Sequence, residues 1–85
     1  MDVRFLPAAV KELKALAAGD RRRILEKVEQ YAADPRSLAN NVRKLTNSSL
    51  LRLRVGDYRV LFTVEDGTVT IMLVHNVRHR REAYD

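Results

Sequence analysis

The chain has 85 residues, no cysteine, two histidines and a formal net charge of +5. This length allows one small domain over residues 1–85. Without cysteine, disulfides and cysteine-ligated metals are excluded. We therefore expect neither a metal site nor a cofactor. No stretch approaches the roughly 20 apolar residues of a membrane helix, and the N-terminus lacks a signal-peptide pattern, so we expect a cytoplasmic protein without membrane contact.

The first part of the chain predicts a short strand followed by two helices. Residues 3–6 form the strand, and Pro7 opens the first helix, where its missing N–H is not needed. We expect Gly19 to end this helix and Asp20 to cap the second, which Asp34-Pro35 stops. Apolar residues at helical spacing leave three charged side chains of the first helix facing solvent: Lys11, Glu12 and Lys14.

The second half of the chain predicts three strands, at residues 50–55, 58–65 and 68–76. Gly56-Asp57 and Asp66-Gly67 are interpreted as two-residue hairpin turns between them. Residues 36–48 are polar and give no assignment, and we expect the tail 77–85 to form a turn or one helical turn. The predicted order is β-α-α-β-β-β, an α+β fold in which a helical hairpin packs on one face of a small antiparallel sheet.

The first predicted hairpin opposes two arginines. A two-residue loop places Arg54 directly opposite Arg59, and strand alternation puts Arg52 on the same face. Like charges opposed across strands are destabilising, so we interpret this face as a binding site for an anion. The alternative is an ordinary solvated face whose arginines point apart into water.

The second predicted hairpin sets the surroundings of these arginines. A two-residue loop there places Arg59 opposite Val74 and Leu61 opposite Met72, which predicts a shallow, half-apolar cleft for a base and its phosphate. Every basic residue after position 48 is an arginine, whose forked donors suit phosphate. The positive net charge also favours a polyanionic partner, although solubility alone would account for it.

The tail brings further basic and aromatic residues beside the cleft. They are Arg78, His79, Arg80, Arg81 and Tyr84. An aromatic ring among arginines favours nucleic-acid binding because bases stack on it, but a basic run is also typical of a solvated chain end. His79 lies among these arginines in the sequence and can titrate near neutral pH. We expect His75 to face the core near Tyr58 and to be structural.

Three stretches occur together: LRLRVGDYRVLF at 51–62, VTIMLVH at 69–75, and Arg78, Arg80 and Tyr84 in the tail. With the leading strand and the helical hairpin, this combination resembles the RelE/ParE superfamily of bacterial and archaeal toxins. An arginine after the last strand and a tyrosine six residues later resemble its RelE-like branch. The resemblance implies a RelE-like fold, similar to that of microbial ribonucleases.

The resemblance also implies a function, that of a toxin of a type II toxin–antitoxin system. RelE-like toxins enter the ribosomal A site and cut mRNA, and so inhibit translation. Their chemistry needs no metal, because the RNA 2′-OH attacks its neighbouring phosphate. A cognate antitoxin holds such a toxin inactive, and operator DNA is bound only through the toxin–antitoxin complex.

Carried over by position, the resemblance implies that Arg59 and Arg78 bind the phosphate and that Tyr84 stacks on or orients the base. Arg52 and Arg54 match neighbouring basic positions. Further RNA contacts are expected from Lys44, Arg43, Arg80 and Arg81. Since arginine does not act as a base at ordinary pH, our hypothesis is that His79, alone or with Tyr84, transfers the proton. The alternative is that electrostatic stabilisation and positioning carry most of the rate.

Two other functions fit the same residues. A ParE-like inhibitor of DNA gyrase would use this fold without a ribonuclease site, and a catalytically weak member would act mainly by binding its antitoxin or nucleic acid. The basic, partly apolar sheet face independently favours an acidic amphipathic partner. We expect an antitoxin either to mask the arginines or to displace residues 77–85.

Overall fold

The computed structural model describes residues 1–81, which form a five-stranded sheet with helices packed against it. The strands are β1 (Asp2–Phe5), β2 (Val42–Lys44), β3 (Leu51–Val55), β4 (Tyr58–Glu65) and β5 (Ile71–His79). The helices are α1 (Pro7–Lys14), α2 (Ala18–Ala33) and a 3-10 helix (Pro35–Asn41). No helix in this part of the chain is long and apolar enough to cross a membrane.

The strand order is β1-β5-β4-β3-β2, and this arrangement confirms the predicted α+β class. Two features go beyond the prediction. Residues 42–44, which the sequence left unassigned, form an additional strand antiparallel to β3. The sheet is mixed, because β1 runs parallel to β5 with Phe5 opposite Val74.

The break between the two helices lies ahead of Gly19, which belongs to α2 and does not end α1 as predicted. Arg21 of α2 contacts this break, since its Nη1 lies 3.4 Å from the carbonyl oxygens of Leu13 and Leu16. A side chain from α2 therefore satisfies carbonyl groups at the end of α1, a task that glycine-containing caps often perform. Asp20 lies in the first turn of α2 and not at its N-cap.

The β3–β4 hairpin has the predicted register. Gly56 adopts a φ of 57°, which glycine reaches without the steric cost that a Cβ imposes. Val55 then pairs with Tyr58, and Arg54 pairs with Arg59. Because two residues span the turn, every later pair along the two strands follows from this one.

The β4–β5 hairpin differs from the prediction in loop length and register. Residues 66–70 connect the strands, where a two-residue turn was expected, and Thr70 Oγ1 donates a hydrogen bond of 3.3 Å to Asp66 Oδ1 across the loop. Further along, His75 is the extra residue of a β-bulge, since Phe62 pairs with Val74 and Leu61 with Asn76. The prediction of a turn is wrong for residues 77–79, which continue β5.

This register moves two residues from the predicted cleft into the core. Met72 pairs with Val64 and Val74 with Phe62, and both Met72 and Val74 are fully buried. The predicted pairs Arg59–Val74 and Leu61–Met72 are therefore wrong, because loop length and bulge shift β5. Of the three apolar residues predicted to line the cleft, Leu61 remains on the face of the arginines, where it is buried.

The core lies between the helices and the opposite face of the sheet. Tyr31 of α2 meets Phe62 of β4 edge to face, with ring centroids 5.1 Å apart. The largest fully buried side chains come from both layers: Phe62, Ile24, Leu53, Met72, Val28, Val60 and Val74. Since the apolar side chains of β3 and β4 other than Leu61 point to the helices, the alternating arginines point to the other face.

Candidate functional site

Three arginines lie opposite one another across three adjacent strands. Arg54 of β3 pairs with Arg59 of β4, and Arg59 pairs with Arg78 of β5. Directly opposed residues share a face and have Cβ atoms about 4.5–5.5 Å apart. We call Arg54, Arg59 and Arg78 the arginine row. Strand pairing thus brings Arg78, predicted to lie in an irregular tail, into register with the hairpin arginines.

A second pair of arginines extends this surface toward the edge of the sheet. Arg43 of β2 pairs with Arg52 of β3, which in turn pairs with Leu61 of β4. Arg52 lies two residues from Arg54 and therefore on the same face. The row and this pair together form the arginine face, made of Arg43, Arg52, Arg54, Arg59 and Arg78. Arg43, predicted to contact RNA, thus lies on the same face as the predicted catalytic arginines.

The Arg59 side chain is held at the hairpin turn. Its Nη1 donates hydrogen bonds to the carbonyl oxygens of Gly56 (2.9 Å) and Tyr58 (3.0 Å). These contacts hold the guanidinium at the turn beside the row before any ligand arrives. Fixed donors cost less to align with an anion than mobile side chains do.

The electrostatic surroundings of Arg59 also lower its pKa. Partial burial lowers the pKa of the Arg59 guanidinium, and the positive charges of Arg52, Arg54 and Arg80 lower this pKa further, while Asp57 opposes them. The group remains protonated near neutral pH, since arginine does not lose its charge there. A partly buried cation held among other cations is favourable for a bound anion, which would relieve the repulsion.

Arg78 lies at the other end of the row, against helix α1. Its Nε lies 3.5 Å from Glu12 Oε2, and the side chains are 43% and 30% exposed respectively. The sequence predicted that Glu12 faces solvent only, and this is wrong. A single acidic residue between lysines on a helix gave no signal of this contact, which depends on how α1 packs against β5.

Arg80 and Arg81 follow β5 at the hairpin end of the sheet. The Arg80 N–H donates a 2.7 Å hydrogen bond to the Asp57 carbonyl oxygen, and Arg80 Nη1 lies 3.7 Å from Asp57 Oδ1. Arg80 therefore stays near Arg59, whose pKa it lowers. Arg81 is exposed and lines a shallow pocket with Asp57, Arg80 and His79.

The two histidines exchange the faces that the sequence predicted for them. His79 pairs with Tyr58 on the helix side of the sheet, with ring centroids 5.5 Å apart, and lines a cleft of ≈ 300 Å³ that includes Leu16 and Glu12. His75 does not face the core near Tyr58. Its Nε2 lies 2.9 Å from Thr63 Oγ1, on the side of the arginine face, because the bulge turns it there.

Lys44, which was predicted to contact RNA, lies apart from the arginine row. Lys44 pairs with Leu51, which places it on the face opposite Arg43. Tyr84 lies outside the residues that the structure describes. Within residues 1–81, no group of three or more histidine or acidic side chains is arranged to hold a metal ion.

Comparison with protein families gives a match over most of the chain. Residues 3–84 match the family described as ParE toxin of type II toxin-antitoxin system, parDE. The chain therefore belongs to this toxin family, within the RelE/ParE superfamily. The comparison with curated proteins gives no significant match.

Solved structures place the chain in the RelE-like branch of that superfamily. It is 28% identical to a chain of the archaeal RelE–RelB complex from Pyrococcus horikoshii OT3, with TM-score 0.76 and coverage of 96% of this chain and 97% of that one. The Escherichia coli RelBE complex matches at 26% identity and TM-score 0.72, covering 92% and 94%. The RelBE2 complex from Mycobacterium tuberculosis matches at 28% identity and TM-score 0.65, covering 93% and 96%.

Proposed function

We propose that this toxin is a ribosome-dependent endoribonuclease that cuts mRNA in the A site and so inhibits translation. One observation carries the proposal: Arg54, Arg59 and Arg78 are opposed on one face of three adjacent strands. Such an arrangement is unfavourable without an anion and favourable with one, and the RNA phosphate is the anion that this reaction requires.

The proposed reaction is attack of the RNA 2′-OH on the adjacent phosphate. A bond forms between the 2′-oxygen and phosphorus as the 2′-OH loses its proton, and the bond to the 5′-oxygen breaks. The products are a 2′,3′-cyclic phosphate and a 5′-hydroxyl end, whose oxygen takes up a proton. Negative charge develops on the phosphate oxygens, and Arg59 and Arg78 would stabilise it through preorganised donors. Arg43, Arg52 and Arg54 would bind the flanking phosphates, because they extend the same face toward β2.

The remaining predicted residues have supporting roles in the proposal. Arg80 and Arg81 would contact RNA at the hairpin end of the sheet, and Lys44 would contact RNA from the edge strand. Tyr84 would stack on a base, which is its role by family position. None of these four roles requires a covalent step.

The sequence left two hypotheses for proton transfer. In the first, His79, alone or with Tyr84, transfers the proton; in the second, electrostatic stabilisation and positioning carry most of the rate. The ring of His79 packs against Tyr58 on the helix side, whereas the row lies on the other face. This placement favours the second hypothesis, in which electrostatic stabilisation and positioning supply most of the rate and groups of the RNA and ribosome carry the proton. His79 would then support the structure of the sheet end.

We also propose a cognate antitoxin as the partner that controls the toxin in the cytoplasm. The solved neighbours are toxin–antitoxin complexes, which supports a partner of this kind. An acidic segment would cover the arginine face or displace residues 77–85, and operator DNA would be bound only by the complex. A structure of the complex that leaves both regions uncovered would contradict this part of the proposal.

The experiment is inducible expression of the chain in bacteria, with pulse labelling of protein synthesis and mapping of mRNA 5′ ends. We expect translation to stop and mRNA to be cut within translated codons. Arg59→Ala should abolish both effects, while Arg22→Ala, on the exposed side of α2, should retain them. Intact mRNA during arrest would contradict the ribonuclease proposal.

Inhibition of DNA gyrase is the second candidate, because the matching family is described as ParE toxin. The same expression experiment distinguishes gyrase inhibition from mRNA cleavage. Induction of the DNA damage response with intact mRNA would support gyrase as the target. An absence of toxicity would favour a catalytically weak member that acts by binding its antitoxin.

A further inference from the structure

The sheet has an incomplete edge beside Arg78. Strand β1 pairs with β5 only as far as Phe5 opposite Val74, and Leu6 N–H then donates to the Val74 carbonyl oxygen (2.9 Å). The chain turns into α1 at Pro7, so within residues 1–81 the part of β5 beyond Val74 has no neighbouring strand on this side. The outward N–H groups of β5 there need another acceptor.

Glu12 of α1 supplies that acceptor. Its Oε1 accepts a 2.9 Å hydrogen bond from the Val77 N–H and a 3.2 Å hydrogen bond from Asn76 Nδ2. Its second oxygen, Oε2, lies 3.5 Å from Arg78 Nε. One carboxylate therefore closes the sheet edge with one oxygen and contacts the guanidinium of the arginine row with the other.

We propose that Glu12 is a positioning residue, which orients Arg78 for the phosphate. The contact is made through Nε, the nitrogen nearest the chain, and the two terminal nitrogens can form a bidentate pair with a phosphate. The carboxylate thereby sets the rotation of the guanidinium plane beside Arg59. This inference rests on the proposed function, in which Arg78 binds the scissile phosphate.

The exposure of Glu12 and Arg78 argues that their contact orients the Arg78 side chain and does not stabilise the fold. Both side chains remain partly exposed, and ion pairs of this kind contribute little to folding. A negative charge next to Arg78 also weakens the attraction of the site for RNA. The contact therefore contributes to the reaction by orienting Arg78, since small displacements of a catalytic group have large effects on rate.

Glu12→Gln separates the edge contact from the contact with Arg78. A glutamine Oε1 still accepts from Val77 and Asn76, but its amide N–H₂ would face Arg78, and two donors do not bind each other. Glu29→Gln, an exposed carboxylate on α2, is the matched control for the loss of one negative charge. Thermal unfolding of both variants near the wild-type midpoint establishes that the fold is retained.

The first readout is cleavage of ribosome-bound mRNA, with turnover measured separately from affinity. We expect Glu12→Gln to lower kcat by roughly tenfold to a hundredfold, with KM equal to that of the wild type or lower, because one negative charge is removed. In an Arg78→Ala background, Glu12→Gln should cause no further loss. An equal loss in both backgrounds, or a kcat like that of Glu29→Gln, would overturn the proposal.

The second readout does not require cleavage and therefore separates this inference from the proposed function. Nitrogen-15 NMR of the Arg78 Nε–H group reports its exchange with water and its response to added inorganic phosphate. We expect exchange to be faster in Glu12→Gln than in the wild type and in Glu29→Gln. Equal exchange in all three would overturn the positioning role, whereas faster exchange in a chain that cuts no mRNA would support the contact and refute only the proposed function.

Discussion

Arg59 and Arg78 lie directly opposite each other on β4 and β5, and this pairing makes an arginine near the C-terminus part of the sheet. Strand register places Arg78 beside Arg59, and its Nε lies 3.5 Å from Glu12 Oε2. Arg59 is fixed by two carbonyl oxygens of the hairpin turn. Under the proposed function, these contacts would preorganise the site before RNA binds, as electrostatic catalysis requires.

The arginine row should reduce the stability of the free protein. Arg54→Ala removes one like charge opposite Arg59, so we expect the free energy of unfolding to rise by about 0.2–1 kcal/mol at low salt. The gain should shrink in about 0.5 M salt, because screening weakens the repulsion. Urea unfolding at both salt concentrations measures it, with Arg22→Ala as the control. An Arg54→Ala variant less stable than the wild type at low salt would contradict the repulsion.

Binding of single-stranded RNA should depend on salt through the same residues. For a non-cleavable 2′-deoxy analogue, we expect Arg54→Ala, Arg59→Ala and Arg78→Ala each to reduce the slope of log K against log salt by about 0.7, the value for one phosphate contact. Arg22→Ala should leave the slope unchanged. Titrations at several salt concentrations check this, and unchanged slopes for all three row variants would place the RNA elsewhere.

Because His79 lies on the helix side of the sheet, we expect the pH dependence of cleavage not to depend on it. If proton transfer does not depend on His79, His79→Gln should retain the shape of the wild-type pH–rate profile between about pH 5.5 and 8. A moderate loss at all pH values would be consistent with the lost ring contact to Tyr58. A profile that becomes flat near neutral pH would instead support His79 as the general base and contradict our preference.

Tyr58 should make the fold sensitive to alkaline pH. Burial raises the pKa of the Tyr58 hydroxyl, and its contact with Asp20 (3.3 Å) raises this pKa further. A pKa higher in the folded than in the unfolded chain means that the folded state retains its proton longer. Stability is then fully present below about pH 10, the unfolded value, and falls as pH rises through the folded value.

Tyr58→Phe tests this relation. Urea unfolding at about pH 9 and pH 11 should show a smaller loss of stability for Tyr58→Phe than for the wild type. Tyr31, whose pKa burial also raises, remains in both proteins and accounts for part of the common loss. Equal losses in the two proteins would mean that Tyr58 ionises alike in the folded and unfolded chains.

The hairpin at Gly56-Asp57 shows which parts of the site were predictable. Alternating apolar and arginine residues on both sides of a two-residue turn determine the register, so the pair Arg54–Arg59 followed from the sequence. The family resemblance added Arg78 as a phosphate ligand but not its position in the sheet.

The rest of the site depends on features that local sequence does not encode. The loop at residues 66–70 and the bulge at His75 together decide which residues of β5 oppose Arg59, and neither has a distinctive sequence signal. Strand β2 has three residues, too few for a periodic pattern. The role of Glu12 depends on the packing of α1 against an edge that ends at Phe5, which is a tertiary relationship.

The most direct test of the central claim is cleavage of mRNA on purified ribosomes by Arg59→Lys and Arg78→Lys. Lysine retains the charge but not the fork of donors, so we expect each variant to cut roughly 10²–10³-fold more slowly than the wild type, while Arg22→Lys cuts at the wild-type rate. Wild-type rates in both row variants, or ribosome-bound mRNA left intact by the wild-type protein, would contradict the assignment of the arginine row to the scissile phosphate.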